Sequence, residues 1–202
     1  FLILFLATVF VNASLVNVKL YKETYSSGET VQAEISGNFE KELKTNNIIF
    51  IDEYFNELDT APFLYKHDDK YFLYFDIPQN IEGNYSLGLE KVFVKANGTL
   101  KEVVEYYKIT VNNIYPAVSI KPGFIFKNFD GNEFQANLQS KIVEANVSIN
   151  TSNNILNVYK NMQFIKANTS RVFKFRLNLT SHFDNEIIKF SYGDRIYELP
   201  VF

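Results

Sequence analysis

The chain has 202 residues, of which 47% are hydrophobic and 21% charged, and this balance is typical of a folded protein and excludes a disordered one. Its net charge of −3 provides no basic surface for nucleic acid, so we expect no nucleic-acid partner. Cysteine is absent, which excludes disulfides, thiolate metal sites and cysteine nucleophiles.

The first eleven residues are apolar except for Thr8. As a helix they would be about 16 Å long, whereas a bilayer core is about 30 Å thick, so we expect no membrane span. Small residues follow and predict a signal-peptidase site after Ala13. Residues 1–13 are therefore predicted to be a partial signal peptide of a secreted or cell-surface protein that begins upstream of Phe1. An apolar N-terminal strand is the alternative.

Residues 14–115 show the pattern of an immunoglobulin-like (Ig-like) β-sandwich. Short runs rich in Val, Ile, Phe and Tyr alternate with Gly, Asn and Asp every 8–15 residues. The predicted strands are Val16–Thr24, Thr30–Ser36, Asn47–Asp52, Pro62–Lys66, Lys70–Ile77, Asn84–Lys95 and Lys101–Val111. Lys70–Ile77 has apolar residues on both faces, which predicts that both faces are covered.

One stretch of this first half permits two interpretations. Leu100, Val103, Val104 and Tyr107 have the spacing of an amphipathic helix. The preceding Asn97-Gly98 pair is a strong hairpin signal, and the apolar pattern continues beyond Tyr107, so we favour a strand.

Residues 116–202 repeat the strand pattern after Pro116 and are predicted to form a second β-sandwich. The predicted strands are Ala117–Ile120, Phe124–Lys127, Phe134–Ser140, Ala145–Ile149, Ile155–Lys160, Arg171–Leu179, Glu186–Tyr192 and Arg195–Val201. The predicted fold class is thus all-β, with two tandem Ig-like antiparallel sandwiches. Because Pro116 restricts the linker, we expect a stiff elbow with an interdomain contact around Ile114 and Tyr115.

Acceptor motifs for N-glycosylation are frequent in this sequence. One lies within the predicted signal peptide, at Asn12. The candidates in the mature chain are Asn84, Asn97, Asn146, Asn150, Asn168 and Asn178.

The segments TYSSGETVQAEISGNF, DKYFLYFDIPQNIEGNYSLGLEKV, SIKPGFI and YGDRIYELPV resemble the Ig-like modules of uncharacterised archaeal secreted and cell-surface proteins. The resemblance implies a structural or adhesive surface role and supplies no catalytic residues. Tyr85 lies in a Gly-x-Tyr-x-Leu strand entry that resembles the tyrosine corner of sandwich folds, which predicts a structural role for Tyr85.

No pattern in the sequence predicts a catalytic, cofactor or metal site, and we expect a protein that is not an enzyme. His67, Asp68 and Asp69 are adjacent and predict a polar hairpin turn instead of a converging metal site. His182 has no partner at a catalytic spacing. The run from Asn128 to Glu133 alternates oxygen-bearing residues as calcium loops do, but it lacks the bidentate glutamate at position twelve.

Aromatic residues are the remaining candidates for recognition, since 16% of the chain is aromatic. Tyr106-Tyr107 and Tyr54-Phe55 each send one ring outward if they lie in strands. Exposed rings in a flat row would make a carbohydrate-binding accessory module of an exported hydrolase, which is the alternative to a non-catalytic structural or adhesion module. The expected partners are other surface proteins or glycans.

Overall fold

In this computed structural model, the described residues are 15–112, 118–126, 133–141, 144–152, 155–157, 162–177 and 185–202. The predicted signal peptide, Pro116, Asn178, His182 and all of the calcium-like run except Glu133 lie outside them.

Over residues 15–112, the structure has eight strands and one short 3-10 helix at Thr45–Asn47. The strands are β1 (Val16–Leu20), β2 (Thr24–Ser26), β3 (Thr30–Gly37), β4 (Ile48–Asp52), β5 (Phe63–His67), β6 (Lys70–Asp76), β7 (Gly83–Ala96) and β8 (Thr99–Asn112). They form two four-stranded sheets, in the orders β1-β3-β6-β5 and β2-β8-β7-β4.

The second half has the same two-sheet arrangement. Its strands are β9 (Val118–Lys121), β10 (Glu133–Ser140), β11 (Ala145–Asn150), β12 (Ile155–Asn157), β13 (Met162–Ile165), β14 (Ser170–Leu177), β15 (Glu186–Tyr192) and β16 (Arg195–Val201). The sheet orders are β12-β14-β10-β9 and β13-β11-β15-β16. The fold is therefore all-β, with two Ig-like sandwiches in tandem.

Each sandwich buries the apolar face of its alternating strands. In β3, Val31, Ala33 and Ile35 are completely buried in the core of the first sandwich. In β14, Phe173 and Phe175 occupy the core of the second. The two hydrophobic clusters are separate, and each lies between the two sheets of its own half.

The predicted strand Val16–Thr24 is confirmed over Val16–Leu20 but extends too far, because the chain changes sheets between Leu20 and Thr24. β1 pairs with β3 in one sheet, whereas β2 runs parallel to β8 in the other. Both strands present residues to the same core, so the apolar pattern continues across the break and conceals it.

One confirmed prediction and two further differences concern single strands. Thr99–Asn112 is a strand paired with β7, as favoured, and not a helix. Ile125 makes only an isolated bridge to Val201, so the predicted strand Phe124–Lys127 is wrong over its described residues. β13 was not predicted, since Met162 and Phe164 are exposed and the segment has little alternation to reveal it.

Candidate functional site

The two sandwiches meet on the outer face of sheet β1-β3-β6-β5, which we call the junction face. The outward side chains of β3 and β6, which would be solvated in an isolated sandwich, contact β9, the segment 122–126 and β16. Phe72 at the centre of this face is only 3% exposed. The prediction that both faces of Lys70–Ile77 are covered is therefore confirmed.

Two buried polar side chains of β3 bind the backbone of the second half. The Thr30 hydroxyl accepts a hydrogen bond from the Ile120 amide at 2.9 Å and donates to Asp76 at 2.7 Å. The Gln32 amide donates to the carbonyl of Gly123 at 2.5 Å and to that of Glu198 at 3.0 Å. Buried polar groups are costly unless they are paired, so these bonds fix where the second half docks.

Glu29 is the charged centre of the junction, with a side chain only 3% exposed. It accepts a hydrogen bond from the Ser26 amide at 2.8 Å, pairs with Lys22 and lies 3.6 Å from the Arg195 guanidinium of the second half. Arg195 also donates to the Ser26 hydroxyl. The Lys22 ammonium lies 4.6 Å from the centre of the Tyr197 ring, and burial, aided by the Glu29 charge, raises the pKa of Tyr197 to about 12.

A second group of charges lies at the other side of the junction. Asp76 on β6 pairs with Lys121 at 3.0 Å and lies 3.8 Å from Lys141. Burial lowers the pKa of Lys141, and the charge of Asp76 opposes that shift. Both lysines belong to the second half, so Asp76 adds a further ionic contact across the junction.

Aromatic rings fill the rest of the junction. Phe72 contacts the rings of Phe124, Phe126 and Phe202 at centroid distances of 5.2, 5.0 and 4.7 Å. We call the following set the junction cluster: Tyr65, His67, Phe72, Phe124, Phe126 and Phe202.

His67 borders the expected polar turn, but its ring also packs within the junction cluster. Asp68 and Asp69 form the two-residue turn between β5 and β6, as predicted, with Asp68 at a φ of 53°. The His67 ring packs 5.0 Å from Phe126, because His67 alternates with Tyr65 on the outer face of β5. Ile114, Tyr115 and Pro116 lie outside the described residues, so the contact predicted around them stays a prediction.

A second aromatic surface lies on the opposite sheet, which we call the open face. Tyr54 is 75% exposed, Phe55 71% and Tyr106 42%. Tyr106 points outward and Tyr107 is half-buried against the core, as a strand requires. Tyr54 and Phe55 both face outward, because the pair lies in a turn and not in the strand for which one outward ring was expected.

Asp52 holds that turn. Its carboxylate accepts hydrogen bonds from the amides of Tyr54 at 2.9 Å and Asn56 at 2.8 Å, and the Asn56 side chain lowers the pKa of Asp52. The turn places Phe55 edge-on to Tyr106, with ring centres 5.8 Å apart and planes at 79°. These two rings therefore form a corner and not the flat row that sugar stacking would favour.

Each glycosylation candidate within the described residues is an exposed asparagine. Asn84 lies on β7, and Asn146 and Asn150 lie on β11. Asn97 and Asn168 lie in turns, with φ of 51° and 54°. Tyr85, the predicted structural residue, donates from its phenol to the Glu82 carbonyl at 3.3 Å and stacks on Phe50 at 5.3 Å.

Within the described ranges, no three acidic or histidine side chains come together in a way that could hold a metal ion. In the same part of the chain, no helix has the length and apolar character needed to cross a bilayer. Glu133, the described member of the calcium-like run, pairs with Arg176 on the surface.

Neither the known family models nor the curated proteins contain a match to this sequence. Among solved structures, the chain is similar to a protein of unknown function from Porphyromonas gingivalis W83, with 12% identity over 93% of this chain and 99% of that one and a TM-score of 0.33. It is similar to the D0-D1 domain of Intimin, with 9% identity over 92% and 94% and a TM-score of 0.34.

It is also similar to the Yersinia pseudotuberculosis adhesin InvE, with 8% identity over 92% of this chain and a TM-score of 0.32, and it spans 58% of that adhesin. At these identities and TM-scores the likenesses give no basis for a role.

Proposed function

We propose that this chain is a non-catalytic structural or adhesion module of a secreted or cell-surface glycoprotein, and that its two sandwiches act as one rigid unit. The observation that carries the proposal is the junction face. Hydrogen bonds, an ion pair to the buried Glu29 and packed rings there all join the same two surfaces. A spacer or adhesin holds its far end in a defined position when its modules keep a fixed angle, and packed cores with paired polar groups resist a change of that angle.

The proposed division of the chain follows from the sequence. Residues 1–13 would be the end of a signal peptide, residues 14–115 the first sandwich and residues 116–202 the second. The archaeal resemblance agrees with a surface protein that lacks disulfides, since the chain has no cysteine and each half has a hydrophobic core of its own.

Glycosylation is part of the same proposal. The acceptor side chains at the turns of Asn97 and Asn168 extend into solvent, where a transferase can reach them. Intact-mass analysis of the chain secreted by its native host tests both features. We expect cleavage after Ala13 and added glycan mass that falls in the Asn97→Gln and Asn168→Gln variants. An uncleaved chain without glycan mass would contradict the proposal.

A second candidate function is carbohydrate recognition on the open face. The exposure of Tyr54, Phe55 and Tyr106 favours it, although two of the rings form a corner. A glycan array with the wild type and with Tyr54→Ala tests it. Binding lost in this variant would support the second candidate, and an array without hits would end it.

A further inference from the structure

A cavity of about 280 Å³ lies beside the junction cluster, at the boundary between the two sandwiches. We call it the junction groove. Its lining residues are Phe63, Tyr65, Phe72, Tyr74, Pro122, Phe124 and Phe126. The first four come from β5 and β6 and the last three from the segment after β9, so each sandwich contributes one side. Junctions between domains are common places for small-molecule sites, and this volume is close to the lower end of their range.

The lining chemistry selects an uncharged ligand. Six of the seven lining residues are aromatic, none carries a charge, and the only polar side-chain atoms among them are the phenol oxygens of Tyr65 and Tyr74. Nearby charges on the same face are already paired, Asp76 with Lys121 and Glu34 with Lys70. An ion would lose its hydration without gaining a partner charge, and a sugar would find few groups to replace the water around its hydroxyls.

The groove is formed before any ligand enters. Phe63 stacks on Tyr74 at 4.9 Å, which fixes one wall. Gly123 lies so close to Tyr74 that a Cβ at that position would come within 2.5 Å of the Tyr74 Cβ, and Gln32 binds the Gly123 carbonyl. A preformed site spares the ligand the cost of ordering the side chains around it.

We propose that the junction groove binds a small uncharged ring compound, aromatic or alicyclic, with at most one or two hydrogen-bonding groups. The rings of the groove offer it stacked and edge-on contacts, and the two phenols offer hydrogen bonds at its edge. Because the ligand touches both sandwiches, it binds the docked arrangement better than a separated one and therefore stabilises the junction. Ligand binding at the junction groove is independent of the proposed adhesion role, which does not require a soluble ligand.

The test uses the purified, unglycosylated chain and the neutral fluorophore N-phenyl-1-naphthylamine, with indole and methyl β-glucoside as competitors. We expect saturable fluorescence enhancement, displacement by indole and not by the glucoside, and a rise in Tm with indole. Phe63→Ala removes an exposed wall ring and should weaken binding about tenfold. Phe55→Ala, the matched control on the open face of the same sandwich, should leave binding unchanged.

NMR of the wild type locates the binding site without relying on any variant. In ¹⁵N NMR spectra of the wild type, indole should shift the amide signal of Gly123 and leave that of Gly98, at the far hairpin, in place. Three results would overturn the proposal: no saturable binding by the wild type, equal losses in Phe63→Ala and Phe55→Ala, or displacement by the glucoside alone.

Discussion

The two outer faces of the first sandwich both carry aromatic rings but have different surroundings. Phe72 on the junction face is 3% exposed, whereas Phe55 on the open face is 71% exposed. The difference comes from the polar side chains around the rings. On the junction face Thr30 and Gln32 bind backbone groups of the second half, while Asp52 on the open face binds only its own turn. Exposed or buried rings alone therefore do not mark an interface, whereas polar groups that bind partners in another module do.

Truncating one ring on each face should give the largest difference in stability between the two faces. Phe72→Ala removes a buried ring that contacts Phe124, Phe126 and Phe202, and we expect a loss of about 3 kcal/mol in the free energy of unfolding. Phe55→Ala should cost about 0.5 kcal/mol or less, because its ring is largely solvated. Urea unfolding measures both, and equal losses would show that the junction face does not bury its rings.

Neutralising one carboxylate in a buried ion pair and one in an exposed ion pair tests whether burial makes the Glu29 contacts stabilising. Glu29→Gln should cost about 2 kcal/mol, because Lys22 and Arg195 lose a buried partner. Glu133→Gln removes an arginine pair that is more than half exposed and should leave the Tm unchanged. Thermal unfolding of the two variants gives the difference, and a Glu29→Gln variant as stable as wild type would refute the role of Glu29.

Loss of a single hydroxyl should have a smaller effect. Thr30→Val keeps the shape of the side chain but leaves the Ile120 amide without its acceptor, so we expect a cost of about 1 kcal/mol. Thr99→Val serves as the control, since that hydroxyl binds the Ala96 carbonyl in an exposed hairpin. Chemical unfolding distinguishes the two, and indistinguishable variants would mean that the Ile120 contact contributes nothing.

The smallest expected effect is a change in pH dependence at Glu34. Burial raises the pKa of this carboxyl, but hydrogen bonds from Tyr21 and Lys70 outweigh burial and hold the pKa below the ordinary value of 4.5. A carboxyl whose pKa is lower in the folded state stabilises the fold above its unfolded pKa, and this stability is lost as the pH falls through the folded pKa.

Glu34→Gln should therefore flatten the decline of Tm below pH 4.5. The exposed Glu102→Gln variant is the matched control. An equal decline of Tm below pH 4.5 in wild type and Glu34→Gln would contradict a lowered pKa of Glu34.

The sequence predicted the two sandwiches well because both cores come from period-two alternation, as in Val31, Ala33 and Ile35. It did not predict the partner contacts of Thr30, Gln32 and Glu29, since polar residues on an outer face are the ordinary pattern of a solvated sheet. The local signal was Phe72 together with Tyr74, which make the second face of β6 apolar. The ring partners of Phe72 in the second half lie about 50 to 130 residues away, and only the tertiary structure identifies them.

If the two sandwiches form one rigid unit, the distance between them in solution has a single value. Because the chain has no cysteine, Asn97→Cys and Asn168→Cys place one spin label on an exposed turn of each sandwich. Double electron–electron resonance should give one narrow distance distribution, and adding Phe72→Ala should broaden it. A broad or multiple distribution in the doubly labelled chain with Phe72 intact would show a loose tether and contradict the account.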